Sequence, residues 1–329
     1  MATDGGFARH PAMKAAVMLI PLTPSDWEDV LEIWRAAAHP HFPISPRLLG
    51  YNLAPCSGEI IEGRLAALNG QPLGFIIACA LPSQSPGWVS LHAVHPSAQR
   101  QGIGSALLDW AEAWLAEQGC QRIRIGGNLR PFAPGMPDAM DSSLAFYQKR
   151  GYAGPPTQPC EYDVARSLSA YQPLYPKPPQ AELLPMQGEQ EALLLEFLER
   201  EYPGRWAFEA RQFIRDGGRP SDFLLLWVNR SVQGFCRITL EDSERPIERF
   251  YPQRLPRPWG QFGPLGISKS VRGQGLGGYL IDAAAAHLHT LGVNGCVIDW
   301  TSLVDLYAKF GFAPYNRYFN LFKSLTPAD

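Results

Sequence analysis

The 329-residue chain contains no run of 18 or more apolar residues, so no segment reads as a membrane-spanning helix. It also lacks a strong charge of either sign. Lys and Arg number 29 against 31 Asp and Glu, and there is no basic block that would mark a nucleic-acid footprint. Cysteines are few and scattered: Cys56, Cys79, Cys120, Cys160, Cys236 and Cys296 form no C-x-x-C pair. That argues against a zinc site and against a disulfide framework, and fits buried thiols in a reducing compartment. The histidines show no ligand spacing either. His287 and His289, two apart on an expected helix, point to different faces, so no metal is expected. Met13 to Leu22 is short and apolar but lacks a small-residue cleavage site, and reads as a first strand behind a loose start. A cytoplasmic location follows from these absences as an expectation.

What is present is a globular composition. Apolar residues make up 46 %, enough for a core in each of about two domains at this length. The chain also repeats itself. Leu91 to Pro96 leads into Gln99, Arg100, Gln101, Gly102, Ile103, Gly104 and Ser105. Pro264 to Ile267 leads into Arg272, Gly273, Gln274, Gly275, Leu276 and Gly277. Gly102 to Gly275 and Gly104 to Gly277 share an offset of 173. Each loop precedes a stretch of helical apolar spacing that stops at glycine, Gly119 in one copy and Gly292 in the other. A strand-like run follows, Arg122–Ile125 or Cys296–Trp300, and then a short helix with a tyrosine, Tyr147 or Tyr307. The tyrosine offset is 160, so the first copy carries 13 extra residues, placed in the Pro- and Gly-rich loop between Asn128 and Asp141.

Upstream, each half opens with a helical region, Trp27 to Ala38 and Glu189 to Tyr202. Strand pairs come next: Ile60–Leu68 with Leu73–Leu81, and Phe223–Asn229 with Gln233–Leu240. Asn69-Gly70 predicts a tight hairpin. Ser167 to Pro185 is too proline-dense for a helix or a central strand and reads as a connector. The expected division is residues 1–170, a linker at 171–181, and residues 182–329. The order of elements makes each half a mixed α/β domain.

The glycine loops suit a pyrophosphate, because backbone N–H groups and a helix dipole converge on a bound anion. A dinucleotide fingerprint fails, since Leu107 and Leu280 stand where a third glycine is needed. A Walker loop fails for want of a Lys-Ser/Thr ending. What remains, Val94-x-Pro96-x-x-Gln99-x-x-Gly102-x-Gly104, resembles motif A of the GNAT N-acetyltransferases. The second copy matches with Ile267, Arg272, Gly275 and Gly277, and has Lys269 in place of the proline. The family's closing Y-x-K-x-G-F/Y is matched by Tyr147/Lys149/Gly151/Tyr152 and by Tyr307/Lys309/Gly311/Phe312. Tyr202 to Trp206, Gly234 to Ile238 and Ile298 to Thr301 further resemble bacterial tandem-GNAT proteins, among them glucosamine and glucosaminide N-acetyltransferases.

The resemblance implies two tandem GNAT folds, each a mostly antiparallel twisted sheet flanked by helices. It implies acetyl-CoA as cosubstrate, held in the first half by Ala93, Val94 and Gln99 through Ser105. In the second half the holding residues are Leu265, Gly266, Ile267 and Arg272 through Gly277. The acceptor is a small-molecule amine, with the 2-amino group of glucosamine or a glucosaminide favoured. An aminoglycoside, a polyamine, an amino acid, or a non-catalytic acyl-CoA-sensing role are the alternatives. Direct transfer needs a base for the amine and an acid for the leaving thiolate. Asp299, at the end of an apolar strand, is the candidate base, with Asp305 its rival and a structural ion pair the other reading. Tyr307 is the candidate acid. Arg205 and Trp206 are candidates for the sugar site. The first copy has Tyr147 and His92 but no acid matching Asp299, which places the main active site in the second half. A monomer, already an intramolecular pseudo-dimer, or a homodimer is expected.

Overall fold

The computed structural model describes residues 17–38, 41–56, 58–81 and 86–325. The expected loose start therefore lies outside the described residues. The first half runs β1 (Met18–Pro21), α1 (Trp27–Ala38), α2 (Pro46–Leu53), β2 (Ile60–Leu68), β3 (Gln71–Ala80), β4 (Gly87–Val94), α3 (Ile103–Glu117), β5 (Arg122–Ile125), β6 (Met136–Pro137), α4 (Asp141–Lys149) and β7 (Cys160–Ser167). The second runs β8 (Ala181–Pro185), α5 (Glu191–Glu201), α6 (Arg205–Arg215), β9 (Phe223–Val228), β10 (Ser231–Leu240), β11 (Trp259–Ile267), α7 (Leu276–Thr290), β12 (Gly295–Thr301), α8 (Val304–Ala308), β13 (Ala313–Phe319) and β14 (Phe322–Ser324). No helix among the described residues is long and apolar enough to cross a membrane.

Local chemistry explains the elements that position the site. Just ahead of α1, the backbone N–H of Thr23 donates to Asp26 Oδ2 at 2.7 Å. Acidic Glu28 and Asp29 occupy the helix's first turn, where the dipole favours them. Val30, Ile33, Trp34 and Ala38 then face the sheet at helical spacing. Asn69 and Gly70 both adopt positive φ, 51° and 81°, and close the β2–β3 hairpin.

Two sheets result, ordered β1-β2-β3-β4-β5-β14 and β6-β13-β7-β12-β11-β10-β9-β8. Most neighbours are antiparallel. The parallel pairs are β4 with β5 and β11 with β12. The halves exchange strands. β7, from before the linker, lies between β12 and β13 in the second sheet, while β14 pairs with β5 in the first. Strand β8 falls at the end of the proline-dense stretch, which is tolerated because β8 is an edge strand.

The parallel pairs make the functional cleft. β4 meets β5 only from Gly87 to Val89, and β11 meets β12 only from Trp259 to Gln261. Beyond those residues the ladder stops, and β4 and β11 run on to the glycine loops. Backbone N–H and C=O groups at the splay are thus free of sheet partners on that side, as a ligand threading the gap requires.

Candidate functional site

Both glycine loops have the same backbone solution. Gly102 (φ 88°) caps the N-terminus of α3 and Gly275 (φ 79°) that of α7. A left-handed conformation at that point is cheap only for glycine. A β-carbon at Gly104 would come within 3.6 Å of Val94 Cγ2, and at Gly277 within 3.8 Å of Ile267 Cδ1. The loops thus present bare backbone to whatever lies at the helix start, which fits a pyrophosphate-bearing cosubstrate.

A cavity of about 860 Å³ opens in the first half. Ala93, Val94, Gln99, Arg100, Gly102, Gly104 and Ser105 line it. Gln101 and Ile103 do not: Gln101 hydrogen-bonds the Ser97 carbonyl at 3.3 Å, and Ile103 is core. The cavity continues past the β4–β5 splay to Trp34, Phe42 and Tyr251. Tyr251 belongs to the second half, and its hydroxyl donates to the Phe132 carbonyl at 2.7 Å. At the centre, His92 Nδ1 lies 2.9 Å from the Tyr147 hydroxyl. His92 Nε2 is buried without a partner. Burial pushes the imidazole down to about 4, so it is neutral at ordinary pH.

In the second half, Leu265, Gly266 and Ile267 lie on β11 as expected, and Leu276 turns into the core. The Tyr202 ring fills the space over Gly266, where a β-carbon would come within 2.5 Å of it. Its hydroxyl donates to the Ile267 carbonyl at 2.6 Å. The linker packs against α7 and the turn after α8. The Tyr175 ring stacks on Phe310 at 5.1 Å and rests against Gly278, where a β-carbon would sit 2.6 Å from it.

Asp299 lies on β12 where the pairing with β7 slips between Ile298 and Thr301, a bulge that turns the side chain. The following residue, Trp300, has φ 50°, an uncommon conformation for a large residue. Asp299 Oδ1 accepts from Gln261 Nε2 at 2.7 Å, and Gln261 Oε1 accepts from Arg245 Nη2 at 2.7 Å. Burial raises the Asp299 carboxyl above the ordinary carboxylate range, opposed by the charges of Arg245 and Arg249. Tyr307 is buried on α8, and its pKa is raised by that burial and by Cys236 and Asp299, so it holds its proton. Asp305 is exposed in the first turn of α8.

Sequence reasoning missed Asp163. It stands on the exchanged strand β7, 1 % exposed, and is pushed up to about 7 by burial and the nearby Asp299. It accepts from the Tyr318 hydroxyl (2.6 Å), Asn316 Nδ2 (2.9 Å) and the Trp300 amide (3.1 Å). The available signal was an aspartate on the inward side of an alternating strand, Cys160 to Ser167. Gln261 and Arg245 carried no such signal, because only the fold brings them to Asp299.

Arg205 is used differently from the expectation. Its guanidinium donates to the carbonyls of Gly127 (3.1 Å) and Asn128 (3.0 Å), pairs with Glu209 at 2.6 Å and stacks on Trp300 at 4.3 Å. It ties the two halves together beneath Asp299. Trp206 packs on Tyr202 and Phe235, with ring centres 4.9 and 5.7 Å away. The described residues contain no group of three or more His, Cys, Asp or Glu able to hold a metal ion.

Comparison with known proteins follows the same two-part plan. The family model for the acetyltransferase (GNAT) family matches residues 27–152 and again 191–312. The mycothiol acetyltransferase of Corynebacterium glutamicum (strain R) is 26 % identical over 236 residues, 67 % of this chain and 70 % of its own. Among solved structures, the GCN5-related glucosamine N-acetyltransferase region of a fungal multi-domain GH3 β-N-acetylglucosaminidase superimposes with a TM-score of 0.84 at 20 % identity. That match covers 95 % of this chain but only 38 % of the fungal one. A tandem GNAT protein from the clavulanic acid biosynthesis pathway matches 95 % of this chain and all of its own, with a TM-score of 0.68 at 18 % identity.

Proposed function

Starting from the premise that the chain belongs to the acetyltransferase (GNAT) family and is an N-acetyltransferase, we propose that its main active site lies in the second half and acetylates the 2-amino group of an amino sugar. The observation that carries this is Asp299, a carboxylate set on a bulge at the splayed strand and backed by Gln261 and Arg245. Acetyl-CoA supplies an activated acetyl thioester when bound. Leu265 to Ile267 and Arg272 to Gly277 hold it along β11 and at the start of α7. Asp299 Oδ1 is taken by Gln261, which leaves Oδ2 to receive the proton shed by the attacking amine. Its raised pKa makes it a stronger base than an exposed aspartate. Tyr307 gives its proton to the thiolate as the C–N bond forms and the C–S bond breaks. The amino-sugar acceptor is supported by the fungal glucosamine N-acetyltransferase region, whose fold the chain shares over 95 % of its length.

A second reading concerns the first half. Its cavity of about 860 Å³, with a bare glycine loop at one end, favours a second acyl-CoA site. The test is thiol release from acetyl-CoA with glucosamine, chitobiose-type glucosaminides, an aminoglycoside, spermidine and a lysine peptide. Selective turnover of the amino sugars is expected. Turnover of spermidine or the peptide alone would overturn the acceptor, and none at all, with acetyl-CoA bound, would favour a sensing role.

A further inference from the structure

At the seam between the halves lies a small, partly open cavity of about 30 Å³, room for roughly two waters or one carboxylate. Tyr51, Leu129 and Arg130 of the first half line it, with α6, β10 and residues 244–249 of the second. Three guanidiniums converge there: Arg237, Arg245 and Arg249. None forms an ion pair within 4 Å among the described residues. Arg237 is 5 % exposed, lies over the Phe213 ring at 4.5 Å, and its Nε is buried with no hydrogen-bond partner. The Arg249 guanidinium lies over Phe250 at 5.9 Å and makes no side-chain hydrogen bond to a described residue, and the residue is half-buried. Only Arg245 is satisfied, by Thr239, Gln261 and Gly263.

Glu209 offsets part of this charge, since its carboxylate acts on Arg237 and Arg249 as well as on Arg205, and Asp299 acts on Arg245 and Arg249, but no acid among the described residues pairs with Arg237 or Arg249 within 4 Å. Glu209 is paired with Arg205, Asp216 with Arg130, and Glu244 is exposed. Burying an arginine with an unmet donor is costly unless a partner arrives. Planar, fork-shaped guanidiniums match the oxygens of a carboxylate or phosphate. The cavity also connects to the chemistry, since Arg245 reaches Asp299 through the single side chain of Gln261.

We propose that this pocket receives an oxyanion carried by the acceptor, so that the preferred substrate is an anionic amino sugar rather than a neutral one. The inference rests on the amino-sugar reading above, with the amine at Asp299 and the carboxylate or phosphate at Arg237 and Arg249. Turnover of glucosamine, glucosamine 6-phosphate and muramic acid distinguishes the sources, and binding of inorganic phosphate and acetate gives a readout independent of the acceptor. One or both anionic sugars should exceed glucosamine in kcat/KM by about tenfold or more. Arg237→Gln and Arg249→Gln should each lower kcat/KM for the anionic sugar about tenfold more than for glucosamine, chiefly through KM, while Arg237→Lys restores part of the loss. Inorganic phosphate or acetate should bind the wild type and not Arg237→Gln. A preference for glucosamine, equal losses for neutral and anionic sugars, or no anion binding by the wild type would each overturn the pocket assignment. Failure of every amino sugar with anion binding intact would instead overturn the acceptor class and leave the pocket standing.

Discussion

The two halves share a backbone plan and differ at matched positions around the splayed strands. Where the second half has Asp299 and Trp300, the first has Gly126 and Gly127, with φ 67° and 76°. Trp300 and Gly127 thus share a left-handed backbone, cheap for glycine and strained for tryptophan. Where the first half has His92 bonded to Tyr147, the second has Leu265 and leaves the Tyr307 hydroxyl without a hydrogen bond to a described residue. Where Asp109 of α3 pairs with Arg150 in the first half, Asp282 of α7 binds the linker, through the Tyr171 hydroxyl and the amides of Leu174 and Tyr175. One scaffold therefore carries two allocations. The first half keeps an open cavity and a neutral histidine, and the second invests in a half-buried carboxylate beside a tryptophan held at positive φ.

The sharpest way to break this comparison is to remove the chemistry from each half in turn. Asp299→Asn and Tyr307→Phe should each reduce kcat by ~10²- to 10⁴-fold, with acetyl-CoA affinity within about threefold. Tyr147→Phe should cost at least tenfold less in kcat. Steady-state kinetics with direct cofactor binding checks both, and the opposite ranking would move the main site to the first half. Next in size are the loops. Gly275→Glu places a side chain at φ 79° and a negative charge at a helix N-terminus. Calorimetry should lose one of two acetyl-CoA sites together with turnover. Gly102→Glu should remove the other site and leave most of the turnover. A single site surviving Gly275→Glu at full turnover would contradict the assignment.

Stability should tilt in opposite directions in the two sheets, with Asp163 on β7 in the second and His92 on β4 in the first. Asp163 has a folded pKa of about 7, above its unfolded value, so the folded state holds the extra proton between about pH 4 and 7. Its contribution is present below that window and is lost as pH rises through it, up to about 4 kcal/mol. His92 has a folded pKa of about 4, below its unfolded value, so the unfolded state binds the extra proton. Its contribution is full above about pH 6.5 and is lost as pH falls towards 4, about 3 kcal/mol at most. Asp163→Asn should flatten the fall of Tm at the neutral end, and His92→Phe the fall at the acid end. Unchanged Tm profiles from pH 4 to 8 in both variants would remove this contrast.

Much of this architecture was legible because it is local. The glycine loops, the helices after them, the Asn69-Gly70 hairpin and the span of α1 are written in turn chemistry and apolar spacing. The exchange of β7 and β14 was not, since an alternating strand does not say which sheet it joins. Asp163 stayed hidden for that reason, and with it half of the carboxylate pair. The expectations for Asp299 and Tyr307 came from their order relative to the glycine loop. The contacts of Arg205 were not legible, because the motif that suggested a sugar contact conveys nothing about a carbonyl of Gly127 arriving from 78 residues away. The arginine cluster was unreadable for the same cause: its members gather only when β10, the 244–249 segment and α6 pack on the first half.

The smallest expected effect tests whether the linker belongs to the difference between the halves. Ser105 and Arg150 line the open first cavity. Their counterparts by the two offsets are Gly278 and Phe310, and between these the Tyr175 ring is seated. The absence of a side chain at Gly278 makes room for the ring, since a β-carbon there would collide with it. Asp282 holds the linker through the backbone amides of Leu174 and Tyr175, so the ring itself can be removed without releasing those bonds. Tyr175→Ala should therefore widen the second cleft and shift KM for acetyl-CoA by about two- to fivefold, a change of well under 1.4 kcal/mol, with kcat nearly constant. A fall in KM means that the ring competes with the cosubstrate, and a rise means that it packs against it. A KM unchanged within error would make the stacked pair with Phe310 a purely structural contact and would confine the contrast between the halves to the splayed strands.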